Sequence, residues 1–270
     1  MRILALGDMQ WNSRRILRLL RQSGAKTLLL AGDINEHTGD RQTWKRVSPG
    51  FRSIARLGVR LYSIRGNWDE CEEYDRAFQS APAKIRDISD TVVDCAGITI
   101  AGMSWFTSYS LPLLRESVQK LRLARPDILV AHAPLKRRVW LLEARPRLIV
   151  SGHCPPNEHT KIGGTIFVSL CGSVAHAIID ITKRKVGVTI WEDGRRIPRF
   201  VGEGSLWNGR QFRVMRALRE ARSRLDPGQW ISPALTASLR RKNVPIHAIN
   251  EYLSPNVRKA LRPNYFPVQN

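Results

Sequence analysis

Five polar residues stand directly behind short apolar runs in this chain, and their types suit a metal ion. Asp8 follows Gly7, Asp33 follows Gly32, Asn67 follows Gly66 and His153 follows Gly152, while His132 precedes Ala133-Pro134. Carboxylate and amide oxygens are hard ligands and imidazole is a borderline one, a mixture that suits Mn²⁺, Fe or Zn²⁺. Each motif alone reads as a turn, because Gly-Asp and Gly-Asn pairs are turn formers. A lone buried histidine is likewise more often a hydrogen-bonded core residue than a ligand. Five such residues at successive strand ends carry more weight, since functional groups of open α/β sheets gather outside the carboxyl ends of strands. Gln10 and Cys154 lie next to this set and are further candidate ligands, one through an amide oxygen and one through a thiolate that suits Zn²⁺.

The elements that must position these residues alternate along the first two-thirds of the chain. Ile3–Leu6 reads as a strand, followed by Ile16, Leu17, Leu19 and Leu20 at helical spacing. Thr27–Ala31 is again strand-like, Trp44–Leu57 has helical periodicity with Gly58 as its stop, and Val59–Ile64 is the third strand. Thr91–Asp94 and Ile98–Ala101 read as a hairpin around Ala96-Gly97, Leu113–Leu123 as a helix, and Ile128–Ala131 and Leu148–Val150 as buried strands. From Thr165 the pattern becomes a meander through Thr165–Val168, Ile178–Ile181 and Val186–Trp191. This order predicts an α/β core with two sheets or one large mixed sheet. His37 and His159 fall in polar stretches and read as solvated loop residues.

In their order and spacing the five motifs resemble the calcineurin-like metallophosphoesterases, whose pattern is DxH, GDxx, GNx(D/E), a lone His, then GHxH. Phe167–Ser173 resembles that family's strand and Gly-Ser turn, so the likeness covers roughly residues 1–195. The resemblance implies a four-layer α-β-β-α sandwich holding two metal ions. It also implies that Asp33 bridges the metals and that Asn67, His132 and His153 complete one site, with Asp33, Asn67 and His132 catalytic. Asp8 then belongs to the other site, where the chain departs from the family. Gln10 stands where the second-site histidine belongs, and Pro155, with no donor atom, where the final one belongs. The expectation is one strong divalent site, for Mn, Fe or Zn, beside a weaker second. Trp68 replaces the histidine that many members set against the leaving group, which fits phosphodiesters better than monoesters. The implied activity is metal-dependent phosphodiester hydrolysis on a nucleic acid or nucleotide. The missing ligands motivate an alternative, a catalytically weak or inactive module that binds nucleic acid or a protein partner.

Composition bounds these readings. The 270 residues include 44 Lys+Arg against 23 Asp+Glu, a net charge of +21, so a polyanion is the expected partner. No apolar run approaches bilayer length, so no membrane segment is expected. The first strand begins almost at Met1, leaving no room for a signal peptide, and the four cysteines show no paired spacing. A reducing, cytoplasmic location is the expectation. Composition shifts after Pro198, dividing the chain into a metallophosphoesterase-like domain at 1–200, as the resemblance implies, and a basic helical extension at 205–270. Val214, Leu218, Ala221 and Leu225 form an apolar stripe there, and arginines recur every third position from Arg210 to Arg222. Arg213, Arg216 and Arg219 are the candidate nucleic-acid contacts. The rest of the extension reads as a helical cap, packing Leu235 and Leu239 inward, or as a loose helix-turn-helix. Lys136, Arg137 and Arg138 could face a phosphate at the mouth of the site.

Overall fold

The computed structural model describes residues 1–35, 41–69, 72–109, 111–133, 144–153, 157–162, 164–172, 174–197, 217, 221, 225 and 232–242. Strand and helix alternate first: β1 (Arg2–Leu6), α1 (Ser13–Ser23), β2 (Thr27–Leu30), α2 (Arg41–Arg56), β3 (Arg60–Ser63), α3 (Glu72–Gln79) and β4 (Ile85–Asp87). The hairpin β5 (Val92–Cys95) and β6 (Ile98–Met103) leads through α4 (Trp105–Tyr109) and α5 (Leu111–Ala124) to β7 (Ile128–Ala131) and β8 (Leu148–Ser151). Then come β9 (Glu158–Ile162), β10 (Thr165–Ser169), β11 (Ala175–Ile181), β12 (Val186–Glu192) and β13 (Arg195–Arg196). In the basic region α6 covers Pro233–Arg241.

Two sheets result. One has the order β13-β12-β11-β1-β2-β3-β4 and the other β5-β6-β7-β8-β10-β9. β1, β2, β3 and β4 run parallel, as do β6, β7, β8 and β10. Alternate residues of β1 explain the layering. Ile3 and Ala5 face a core shared with Ile100, Val130 and Val150 of the other sheet. Leu4 and Leu6 face Ile16 and Leu20 of α1 and Val47 and Phe51 of α2. A strand buried on both faces must be apolar throughout, hence the unbroken runs of β1, β2, β7 and β8. α5 buries Val118 and Leu121 and lies against β6, completing an α-β-β-α sandwich.

α1 shows why a local sequence folds as it does. Asn12 caps it by accepting from Arg15 N at 3.0 Å, and Gly24, at φ 66°, ends it in the left-handed conformation that glycine adopts without strain. Five elements lie outside the sequence expectation: α3, β4, α4, β9 and β13. All are short, and the first two sit in polar stretches without a clean period. His159 is a correction. It is not a solvated loop residue but a buried one in β9, opposite Val168 of β10. A polar run can form such a strand when its neighbour supplies the hydrogen bonds and covers one face. Among the described residues of the extension, Ala217, Ala221, Leu225 and Leu239 are buried. No helix of the described residues is long and apolar enough to cross a membrane.

Candidate metal centre

The parallel register of β1, β2 and β3 brings Asp8, Asp33 and Asn67 to one sheet edge. β7 and β8, also in register, deliver His132 and His153 from the second sheet. Asp33, His132 and His153 each offer a ligand atom, and these atoms lie within 4.8 Å of one another. Asn67 joins them: its Oδ1 is 2.8 Å from His132 Nε2, and Asp33 Oδ2 is 3.3 Å from the same nitrogen. His132 Nδ1 lies 2.8 Å from the carbonyl oxygen of Ala31, the contact of an N–H donor. That bond fixes the tautomer and leaves the Nε2 lone pair facing the two oxygens, the arrangement of a ligating histidine.

Acceptor atoms turned toward one another favour a cation between them, and burial and mutual charge both act on the groups around that point. Burial works to lower the pKa of His132, but hydrogen bonding and charge from Asp33, the Ala31 carbonyl and the charge of Asp8 outweigh it and raise it. Burial and the neighbouring His132 lower that of His153. Burial raises that of Asp8, against the opposing charge of His132 and the His153 N–H. The donor set of carboxylate, amide oxygen and two imidazoles fits a borderline divalent ion.

Asp8 stands at the edge of this cluster. Its Oδ1 accepts the His153 backbone N–H at 2.9 Å and lies 3.6 Å from His132 Nδ1, so it joins the two sheets. The backbone is strained here. Asp8, Asp33 and His153 have φ of 44°, 50° and 71°, a left-handed region that non-glycine residues seldom occupy. Such strain concentrates at functional sites, where surrounding structure imposes it. Gly66 has its own reason: a Cβ there would lie 2.1 Å from Asp33 Oδ1. Glycine lets the two loops close on each other.

Sequence reasoning left two contributors without a role. Asp69, fully buried, accepts the Asn35 N–H at 3.1 Å and the Gly66 N–H at 3.0 Å, tying the loop after β2 to the loop after β3. Burial pushes its carboxyl up to about 6, against the pull of those N–H groups. The signal was in the motif, since Asp69 fills the final position of GNx(D/E). Trp105, at the start of α4, forms a wall. Its ring centroid lies 4.3 Å from that of His153 and 5.5 Å from that of His132. The signal was its place just past the carboxyl end of β6.

Trp68 sits at the site through its backbone, which donates to Asp33 Oδ1 at 3.0 Å. Gln10 is exposed, with φ 41°, and lines a cleft running beside α1. Cys154, Pro155, Lys136, Arg137, Arg138, Arg213, Arg216 and Arg219 lie outside the described residues.

The sequence model of the calcineurin-like phosphoesterases matches residues 1–158. Among solved structures, TT1561 of Thermus thermophilus is similar at 16% identity and a TM-score of 0.56, over 69% of this chain and 97% of its own. GAP50, the anchor in the inner membrane complex of Plasmodium, is similar at 12% identity and a TM-score of 0.53, over 72% of this chain and 85% of its own. At these identities the likeness shows the fold alone. No match is found among curated proteins.

Proposed function

The chain belongs to the calcineurin-like phosphoesterases, and from that premise we propose that it hydrolyses phosphodiesters of nucleic acids or nucleotides, using one strong divalent metal site. The observation that carries this reading is the convergence of Asp33, His132 and His153 within 4.8 Å, with Asn67 against His132. These four residues would hold the ion, Mn, Fe or Zn, and Asp8 would stand at its edge or hold a weaker second one. When bound, such an ion is a Lewis acid for a phosphoryl oxygen and lowers the pKa of water. The protein's part is preorganisation. The Ala31 carbonyl orients the His132 ring, the Trp68 N–H holds Asp33, and Asp8 holds the His153 backbone. Trp105 keeps water from one side of the imidazoles. A diester is favoured over a monoester because Trp68 offers no imidazole to a leaving group.

The test pairs metal analysis with kinetics. Elemental analysis of the purified protein should find one divalent ion per chain. Mn²⁺ should stimulate hydrolysis of bis(p-nitrophenyl) phosphate, and Asp33→Ala and His153→Ala should fall to the uncatalysed background. Variants as fast as the parent would move the activity away from this centre. An inactive protein that still binds oligonucleotides would favour the non-catalytic reading that Gln10 and Pro155 motivate.

A further inference from the structure

A cleft of about 1300 Å³ opens beside α1, outside the metal cluster. One wall is α1, whose residues Arg14, Arg18 and Gln22 fall at i, i+4 and i+8 and so form one ridge, with Arg15 beside them. The other wall is the outward face of β11 and β12, where His176 stands opposite Trp191 in the register. The cleft exists because β11, β12 and β13 extend the sheet past β1, where α1 packs. Arg46 of α2 also lines it.

Little compensates the charge here among the described residues. Among the described residues, none of Arg14, Arg15, Arg18 and Arg46 has a carboxylate within ion-pairing distance. Asp193 is the only acid among the described residues that line the cleft. Arg15 is half-buried, and its hydrogen bond to the Ala175 carbonyl is long, at 3.5 Å. The cations also work against the helix. Arg14 and Arg15 sit in the first turn of α1, which has no acid and where the macrodipole favours one. Arg14 and Arg18 repel each other at i, i+4. Cations that the fold itself disfavours call for an anion. The cleft exceeds the size of ordinary small-molecule sites, roughly 300–1,000 Å³, and it follows the length of α1. An extended ligand fits it better than a single phosphate.

We propose that this cleft is a groove for single-stranded nucleic acid, its phosphates held by Arg14, Arg15, Arg18 and Arg46 and a base set against Trp191. Guanidinium groups grip phosphate oxygens through paired N–H donors. Residues at i and i+4 are about 5–6 Å apart at Cβ, and long side chains adjust that spacing to successive phosphates. The half-buried indole of Trp191 supplies a stacking face, which separates a nucleic-acid strand from an acidic peptide. Gln10 lines the cleft two residues past Asp8, so one end of the groove opens at the loop that carries Asp8. The fate of that strand rests on the phosphodiesterase reading. Its binding does not.

The experiment measures anisotropy of a labelled single-stranded phosphorothioate oligonucleotide with the full-length protein across a salt series. Arg14→Gln/Arg18→Gln should weaken binding about tenfold and shallow the log affinity against log salt by about 1.4, given roughly 0.7 for each phosphate no longer neutralised on a single strand. Trp191→Leu should weaken binding with no change of slope. An unaltered affinity and slope in the double arginine variant overturns the groove, and so does poly-glutamate competing as well as an unlabelled oligonucleotide of equal charge. A parent protein that binds through these arginines but hydrolyses nothing with Mn²⁺ present overturns the phosphodiesterase reading and leaves the groove standing.

Discussion

At the scale of single residues, the candidate metal centre is held in shape by groups outside the proposed ligand set. Asp69 is the clearest case, a buried carboxylate whose two partners are backbone N–H groups of different loops. Asp69→Ala would leave two buried donors unsatisfied, a loss of about 2–4 kcal/mol. For a domain of this size that lowers Tm by roughly 5–12 °C in calorimetry. The variant should also retain less metal, because the loops carrying Asp33 and Asn67 lose their tie. A variant with parental Tm and metal content would make Asp69 a bystander. The sequence made the ligand candidates legible because side-chain chemistry is written in residue type: Asp8, Asp33, Asn67, His132 and His153 needed only their place behind strands. Asp69 and Trp105 were harder to read. One works through backbone groups, which every residue has, and the other through an approach between segments that follow neighbouring strands of one sheet, which no local spacing encodes.

At the scale of elements, legibility followed period. β1, β2, β7 and β8 are apolar on both faces, and α1 carries Ile16, Leu19 and Leu20 at helical spacing between Asn12 and Gly24. β9 hid in a polar run, because an edge strand borrows its order from β10. Two predictions belong here. Arg14→Glu places an acid in the first turn of α1, where it meets the helix dipole favourably, and should raise stability by about 0.3–1 kcal/mol. Thermal melts should show a gain of roughly 1–4 °C, and a fall would mean that Arg14 already has a structural partner. The second concerns β11. Burial and then the charge of Arg15 push the His176 imidazole from the usual 6.5 down to about 4. The unfolded chain therefore takes up this proton first on acidification. The associated stability is present above 6.5 and lost as pH falls toward 4. His176 is half-exposed, so screening reduces the effect to about 1–2 kcal/mol. His176→Gln should flatten that part of a denaturation-against-pH profile, and an unchanged acid limb would defeat the assignment.

At the scale of the whole molecule, charge is the property to explain. Of the net +21, residues 201–270 contribute eight, from 12 basic and 4 acidic side chains, so the extension is more basic than the body for its length. Among its described residues, Ala221 and Leu225 of the predicted stripe are buried, and so is Leu239 of α6. α6 ends in Arg240 and Arg241, both exposed, in the last turn where cations meet the helix dipole favourably. Those two charges have a structural reason that the α1 arginines lack. The question left at this scale is which cations meet phosphate. Counterion release makes the answer measurable, since each neutralised phosphate steepens the salt dependence while a distant charge adds little beyond a Debye length of about 8–10 Å. Arg213→Gln/Arg216→Gln/Arg219→Gln changes the net charge by more than Arg14→Gln/Arg18→Gln does. If affinity tracked total charge, the triple variant would lose more. The α1 groove predicts the opposite order, with the double variant showing the larger loss of affinity and of slope against one single-stranded oligonucleotide. Equal losses per charge removed, in both variants, would make the protein a diffuse polycation with no groove. A larger loss in the triple variant would transfer the phosphate-binding role to the extension.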